Sequence, residues 1–223
     1  MSSTSESIGE RRRTYLPAAG HDWFLPLYDP LVKLIGGERA RKTLLDQSAI
    51  RAGSRVLDVG CGTGTFVLTI KQLHPDVEVV GIDPDPKALA RASEKVKRAG
   101  FSIKLDRGFS DRLPYPDASF DRVLSSFMFH HLPGDEKATT MREVRRVLKP
   151  GGSLHLLDLS GAESGAAGFL SRLFHSHDRM TANSADRILA FMNEAGLTDP
   201  KEVGRRSMLF TRIVYYRASA PRA

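Results

Sequence analysis

The stretch VLDVGCGTGTF, residues 56–66, constrains the fold of this chain more than any other. A short β-rich run carrying one acid, Asp58, empties directly into three alternating glycines, Gly60, Gly62 and Gly64. Residues 65–74 then repeat their apolar positions at helical spacing until Pro75. A strand that turns at once into a helix needs one or two glycines. Three over five residues is more bare backbone than a turn requires, so something other than protein is expected to lie against it.

The rest of the chain keeps the alternation. Strand-like runs occupy 77–83, 101–108, 120–127 and 153–159. Helical patterns occupy 86–100, with Pro near the start and Gly at the end, and 135–152, closed by Pro150-Gly151-Gly152. Strands alternating with helices specify an α/β, doubly wound, mostly parallel sheet with helices on both faces. The tail changes character: a helix over 185–197 precedes two strands joined at Gly204-Arg205-Arg206-Ser207. That connection has no room for a crossover helix, so the last pair is expected as an antiparallel hairpin at the sheet edge. The Ser-rich residues 1–20 read as a disordered leader, 21–52 as an N-terminal helical cap, and 53–218 as the ligand-binding domain, with 161–181 a lid insertion.

Composition excludes several classes. At 223 residues the chain suits one domain, and 41% hydrophobic with 26% charged residues is an ordinary globular balance. No apolar run reaches bilayer length and the N-terminus lacks a signal-peptide core. The single cysteine, Cys61, excludes a disulfide framework and fits a reducing, cytoplasmic setting. The net charge of +7 is scattered over helix-like segments, which reads as a solvated surface rather than a nucleic-acid face.

Two nucleotide-type ligands compete for the glycine loop. The dinucleotide fingerprint is G-x-G-x-x-G with a pyrophosphate on the helix N-terminus. Here the spacing is G-x-G-x-G, and Thr65 stands where the third glycine would be. Asp58 would repel a pyrophosphate but attract an ammonium or sulfonium. The loop therefore suits a cationic ligand with an adenosine, S-adenosylmethionine. Asp83 ends the next strand, where an acid can accept both ribose hydroxyls; it is also placed to cap the following helix.

The motifs VLDVGCGTG, VVGIDPDP, LPYPDASFDRVLSSFMFHHL and VLKPGGSLHLLDL stand in an order and spacing that resembles class I S-adenosylmethionine-dependent methyltransferases. Within these, the chain looks most like the small-molecule branch that includes ubiquinone/menaquinone-biosynthesis enzymes. The resemblance implies a Rossmann-like sheet of seven strands with the last antiparallel. It implies that Asp58, Gly60, Cys61, Gly62 and Gly64 surround the methionine end of the cofactor, that Asp83 takes the ribose, and that Pro84 packs near the adenine. Ser125 and Tyr28, the latter matching a YD before the first strand, are also expected near the cofactor. One departure stands out: relatives read Gly-Asp-Ala where this chain has GFSDRLP. Phe109 occupies the acidic position, flanking the adenine, with the Ser110 amide in reach and Asp111 two residues on.

Methyl transfer needs alignment of donor and acceptor and exclusion of water, and a base only where the acceptor loses a proton. His130 and His131 are the candidate bases, and the same residues could instead pack and cap their loop. His175 and His177 are weaker candidates, and no histidine spacing suits a metal. Ser125-Ser126-Phe127-Met128 stands where amino-methylating nucleic-acid enzymes carry N/D-P-P-aromatic, which points to a small-molecule acceptor and no nucleic acid. Segments 21–34 and 165–177 are the expected roof: Trp23, Phe24 and Tyr28 suggest an apolar or aromatic acceptor, and Phe169 and Phe174 an apolar underside. Peripheral membrane contact and oligomeric state stay open. Three other functions compete: a nicotinamide-dependent oxidoreductase, a protein that binds S-adenosylmethionine without catalysis, and an RNA methyltransferase.

Overall fold

The computed structural model describes residues 36–160, 184–208 and 211–222. The leader, Trp23, Phe24, Tyr28, the stretch 161–181 with Phe169 and Phe174, and His175 and His177 lie outside the described residues. Helix α1 (Gly37–Ser48) leads into β1 (Arg55–Val59), α2 (Thr65–Leu73), β2 (Glu78–Asp83), α3 (Pro86–Arg98), β3 (Lys104–Arg107) and β4 (Phe120–Ser126). A 3-10 turn (Phe129–His131), α4 (Gly134–Val147), β5 (Leu148–Leu159), α5 (Ala185–Glu194), β6 (Thr198–Met208) and β7 (Thr211–Ser219) follow.

The strands form one seven-stranded sheet in the order β3-β2-β1-β4-β5-β7-β6. Strands β1 to β5 pair in parallel, while β7 runs antiparallel between β5 and β6. Period-two alternation divides the buried side chains between the two faces. Leu57, Val80, Val123 and Leu156 meet α4 and α5 through Met141, Val144, Phe191 and Met192. Val56, Val79, Leu124 and Leu157 meet α1 and α2 through Leu44, Leu45, Phe66 and Ile70. Full burial of a side chain of this size contributes about 1.5–3 kcal/mol, so the two cores carry the fold.

Helix α3 shows how local sequence sets an element. Asp85 caps it by accepting from the Lys87 amide at 2.8 Å, Pro86 opens it, and Lys95, Lys97 and Arg98 fill its last turn. Asp85, not Asp83, is therefore the cap. Ala88, Ala92 and Val96 make the buried stripe, and the small Ala92 lets the glycine loop close on it.

Two boundaries differ from the sequence reading. Helix α4 stops at Val147, and Leu148 to Gly152 begin β5 instead of closing the helix. The hairpin reverses between Met208 and Thr211, so Gly204 to Ser207 lie inside β6. The register explains this, because Arg206 pairs with Ile213 and Met208 with Thr211. Gly204 marks an irregularity between Glu202 and Gly204, where a strand glycine relieves a bulge rather than making a turn.

Candidate functional site

The parallel strands all point their carboxyl ends at one edge, and the expected site residues collect there. Asp58 lies one residue before the end of β1, Asp83 ends β2, Ser125 and Ser126 end β4, and Asp158 lies one residue before the end of β5. In an open α/β sheet this edge is where ligands bind.

The glycine loop is fastened by its backbone. The amides of Gly60 and Cys61 both donate to the Ile82 carbonyl, at 2.9 and 3.0 Å, and Gly64 donates to the Cys61 carbonyl at 3.0 Å. All three glycines have positive φ, +77°, +52° and +77°, which side chains rarely adopt. The three glycines differ in their surroundings. A Cβ on Gly60 would lie 2.3 Å from Met128 Cγ, and one on Gly64 would lie 2.6 Å from Ala92 Cβ. Among the described residues, a Cβ on Gly62 would meet nothing within 4 Å. Gly60 and Gly64 are thus required by packing, and Gly62 alone fronts open space.

Cys61 turns its side chain inward. A Cβ on Gly81 would lie 2.9 Å from Cys61 Sγ, so the thiol fills the space above β2 and offers the cleft only its backbone. Burial pushes that thiol well above its usual range. From α3, Lys95 Nζ donates to Thr65 Oγ1 at 2.9 Å and Thr63 Oγ1 at 3.2 Å, pinning the loop's far side.

The two acids differ in how they are used. Asp58 is 1% exposed, and among the described residues neither of its carboxylate oxygens has a hydrogen-bond partner. Burial pushes its carboxyl up to about 7, against the lowering pull of the Arg41 charge, with the Asp83 charge adding to the rise. An unsatisfied buried carboxylate is costly without a partner. Asp83 accepts from the Gly62 amide at 2.8 Å and the Asp85 amide at 2.9 Å. Burial raises its carboxyl to about 6, although both amides oppose the rise. Asp83 therefore clamps the glycine loop to the start of α3.

At the end of β4, the Ser125 hydroxyl donates to the Val59 carbonyl at 2.9 Å, tying β4 to β1. Phe127 follows with φ +57°, a left-handed conformation that costs a non-glycine residue about 1–3 kcal/mol. His130 is buried: its amide donates to Asp158 Oδ2 at 2.7 Å, and its Nδ1 lies 2.5 Å from Asp158 Oδ1. The His131 ring stacks on it at 4.0 Å between centroids, tilted by 40°. Phe109 and Ser110 sit half-buried in the segment after β3, with the Ser110 hydroxyl 2.9 Å from that of Thr140. Pro84 is half-buried between Asp83 and the α3 cap.

Sequence reasoning missed Arg41, Lys95 and Asp158. Asp158 carried a legible signal as an acid ending a strand, like Asp58 and Asp83. Arg41 is one of several basic residues on α1 and nothing in the pattern sets it apart. Among the described residues no group of three or more His, Cys, Asp or Glu is placed to hold a metal. No helix of the described residues is long and apolar enough to cross a membrane.

S-adenosylmethionine fits these residues on the structure's own terms. A buried carboxylate without a partner suits a cationic ligand, and Gly62 leaves backbone open beside it.

A family profile described as methyltransferase domain matches residues 56–152. The chain is 38% identical over 155 residues to a demethylmenaquinone methyltransferase of Deinococcus radiodurans, covering 68% of this chain and 64% of the relative. It is 36% identical over 152 residues to one of Thermus thermophilus, covering 67% of this chain and 68% of the relative. The chain thus spans less than two thirds of the first relative's length. Among solved structures, the YcgJ protein of Bacillus subtilis superposes with a TM-score of 0.71 at 20% identity, over 83% of this chain and all of that one. At that identity the likeness carries the fold alone. Taken with the glycine loop and the seven-stranded sheet, these matches show that the chain belongs to the class I S-adenosylmethionine-dependent methyltransferase family.

Proposed function

We propose that this protein transfers a methyl group from S-adenosylmethionine to a small, apolar, aromatic acceptor of the quinone kind. The observation that carries the proposal is Asp58: a carboxylate 1% exposed, with both oxygens unpaired, beside the open face of Gly62. When bound, the cofactor supplies an electrophilic methyl group on a sulfonium that leaves as a neutral thioether. The chain's own residues align and desolvate the reactants. Asp58 and the Gly60–Gly64 backbone hold the methionine end. Asp83, anchored through the Gly62 and Asp85 amides, receives the ribose. Pro84, Phe109 and the Ser110 amide bound the adenine, and Ser125 fixes the β1–β4 junction beneath.

A protic acceptor must lose a proton as it gains the methyl group. His130 is the group proposed to receive it, supported by the 2.5 Å contact of its Nδ1 with Asp158, which fixes the orientation of the imidazole. His131, stacked on that ring, is the second candidate. A small-molecule partner rather than nucleic acid is supported by Ser125-Ser126-Phe127-Met128 at the acceptor edge, and a cytoplasmic location by the single, buried cysteine.

The test is direct. With S-adenosylmethionine and a demethylmenaquinone held in its reduced, hydroquinone form, whose electron-rich ring can attack the methyl group and then release a proton, the protein should yield a product carrying one added methyl group by mass spectrometry. His130→Ala should lower the turnover rate by about 100-fold or more, as loss of a general base does, while S-adenosylhomocysteine binding stays near wild type. An unmethylated acceptor would contradict the substrate reading, and a fully active His130→Ala would contradict the base.

A further inference from the structure

Much of the chain's net charge of +7 gathers in its last hairpin. Residues 201–222 hold six basic residues, Lys201, Arg205, Arg206, Arg212, Arg217 and Arg222, against one acid, Glu202. Three of the six lie at the end of the hairpin nearest the site. The last residue of β5, Leu159, pairs with Ile213, and the Ser160 amide donates to the Arg212 carbonyl at 2.8 Å. Arg206 also pairs with Ile213, so it stands level with the end of β5. The pairs Ser207–Arg212 and Met208–Thr211 project past it, on the carboxyl edge where Asp58, Asp83 and Asp158 collect.

The projecting end is held firmly and is basic on both faces. Met208 is half-buried and packs against the core that α1 covers. Arg205, Arg206 and Arg212 are exposed. Arg206 lies opposite Ile213, which belongs to the α1-side core. Arg205 lies opposite Val214, which belongs to the other core, and Arg212 falls on the Val214 side by alternation. Glu202 offsets Arg205 through an ion pair, which leaves Arg206 and Arg212 as the main charges of this end. A ribbon end with cations on both faces is complementary to a broad anionic surface met end-on, not to a ligand lying along one face. Each arginine brought to an anionic bilayer raises binding about fivefold, so Arg206 and Arg212 together raise it about 25-fold.

We infer that this end of the β6–β7 hairpin docks the protein on an anionic lipid surface and so turns the acceptor edge of the sheet toward the bilayer. The purpose of the contact rests on the acceptor reading above. An apolar, quinone-type acceptor partitions into lipid and has to be collected there. The edge that receives it is the edge that Arg206 and Arg212 bring to the surface.

The experiment is co-sedimentation of the full chain with vesicles, without cofactor or acceptor. One set is phosphatidylcholine alone, and the other is equal parts phosphatidylcholine and phosphatidylglycerol. Wild type should bind the anionic vesicles about 25-fold more tightly or better, and the preference should shrink as salt screens it. Arg206→Gln with Arg212→Gln should lose about 25-fold on anionic vesicles and nothing on neutral ones, and each single variant about fivefold. The singles carry the test if the double variant does not fold. Lys97→Gln with Arg98→Gln removes the same charge from the exposed end of α3 and should bind as wild type does. Equal loss in that control, full binding in the hairpin variant, or no preference in wild type would overturn the inference. Binding to single-stranded RNA with none to vesicles would assign the arginines to nucleic acid and overturn it as well. Methyl transfer to reduced demethylmenaquinone in detergent, run beside these assays, separates the two readings. Its failure overturns the acceptor, while docking is decided by the vesicles alone.

Discussion

Asp58 holds a proton that binding should expel. Its carboxyl, raised to about 7 by burial, is close to half protonated at neutral pH in the free protein. A cation placed against it favours the ionised form and draws the value down. Titration with S-adenosylhomocysteine at pH 7, in buffers of different ionisation heat, should therefore show release of about half a proton per site, falling to none near pH 9. Asp58→Asn should abolish the release. The same shift has an opposite sign for stability: the free folded state binds this proton more tightly than the unfolded chain. The Asp58 contribution is thus present below about pH 4 and is lost as pH rises from there through about 7. The strand-end positions of Asp58 and Asp83 were legible in the sequence, because each acid closes a short β-rich run. The Arg41 contact with Ser126 was not, since it depends on α1 crossing to β4, which no local pattern encodes. Asp83 was half legible: its position was clear, but its two amide partners exist only once the loop has folded.

At the scale of elements, the glycine loop is a joint between α2 and α3 as much as a ligand cradle. A Cβ on Gly64 would lie 2.6 Å from Ala92 Cβ and 2.9 Å from its Cα, so helix backbone would have to move. Gly64→Ala should cost about 2–4 kcal/mol, combining overpacking with a left-handed φ of +77°. Ala92→Gly in the same chain should recover part of that loss in chemical denaturation, because it removes the atom struck. No recovery would mean that the backbone strain alone decides. The sequence displayed the order and kind of these elements clearly, through alternation and through Pro and Gly at helix ends. It misled at two boundaries where glycine serves a strand. Gly151 and Gly152 lie in β5 after α4 has ended, and Gly204 relieves an irregularity inside β6. A glycine marks backbone freedom, and only pairing register says whether the chain turns there or runs on.

The whole molecule explains why the site sits where it does. Parallel pairing sends every carboxyl end of β1 to β5 to one edge, and the antiparallel β7 closes the sheet without adding a crossover there. The two cores on either face hold that edge rigid, so a loop with three positive-φ glycines can stay open at Gly62 alone. The account's central claim is that this opening binds S-adenosylmethionine. Calorimetric titration of S-adenosylhomocysteine into wild type and Gly62→Val tests it most directly, because a Cβ there meets nothing within 4 Å among the described residues, so the added side chain is aimed at the ligand's space. The expected result is one site per chain in wild type and no measurable binding in Gly62→Val, with thermal melting lowered only by the local strain of about 1–3 kcal/mol. Equal affinity in the two proteins, or no binding to wild type, would contradict the claim.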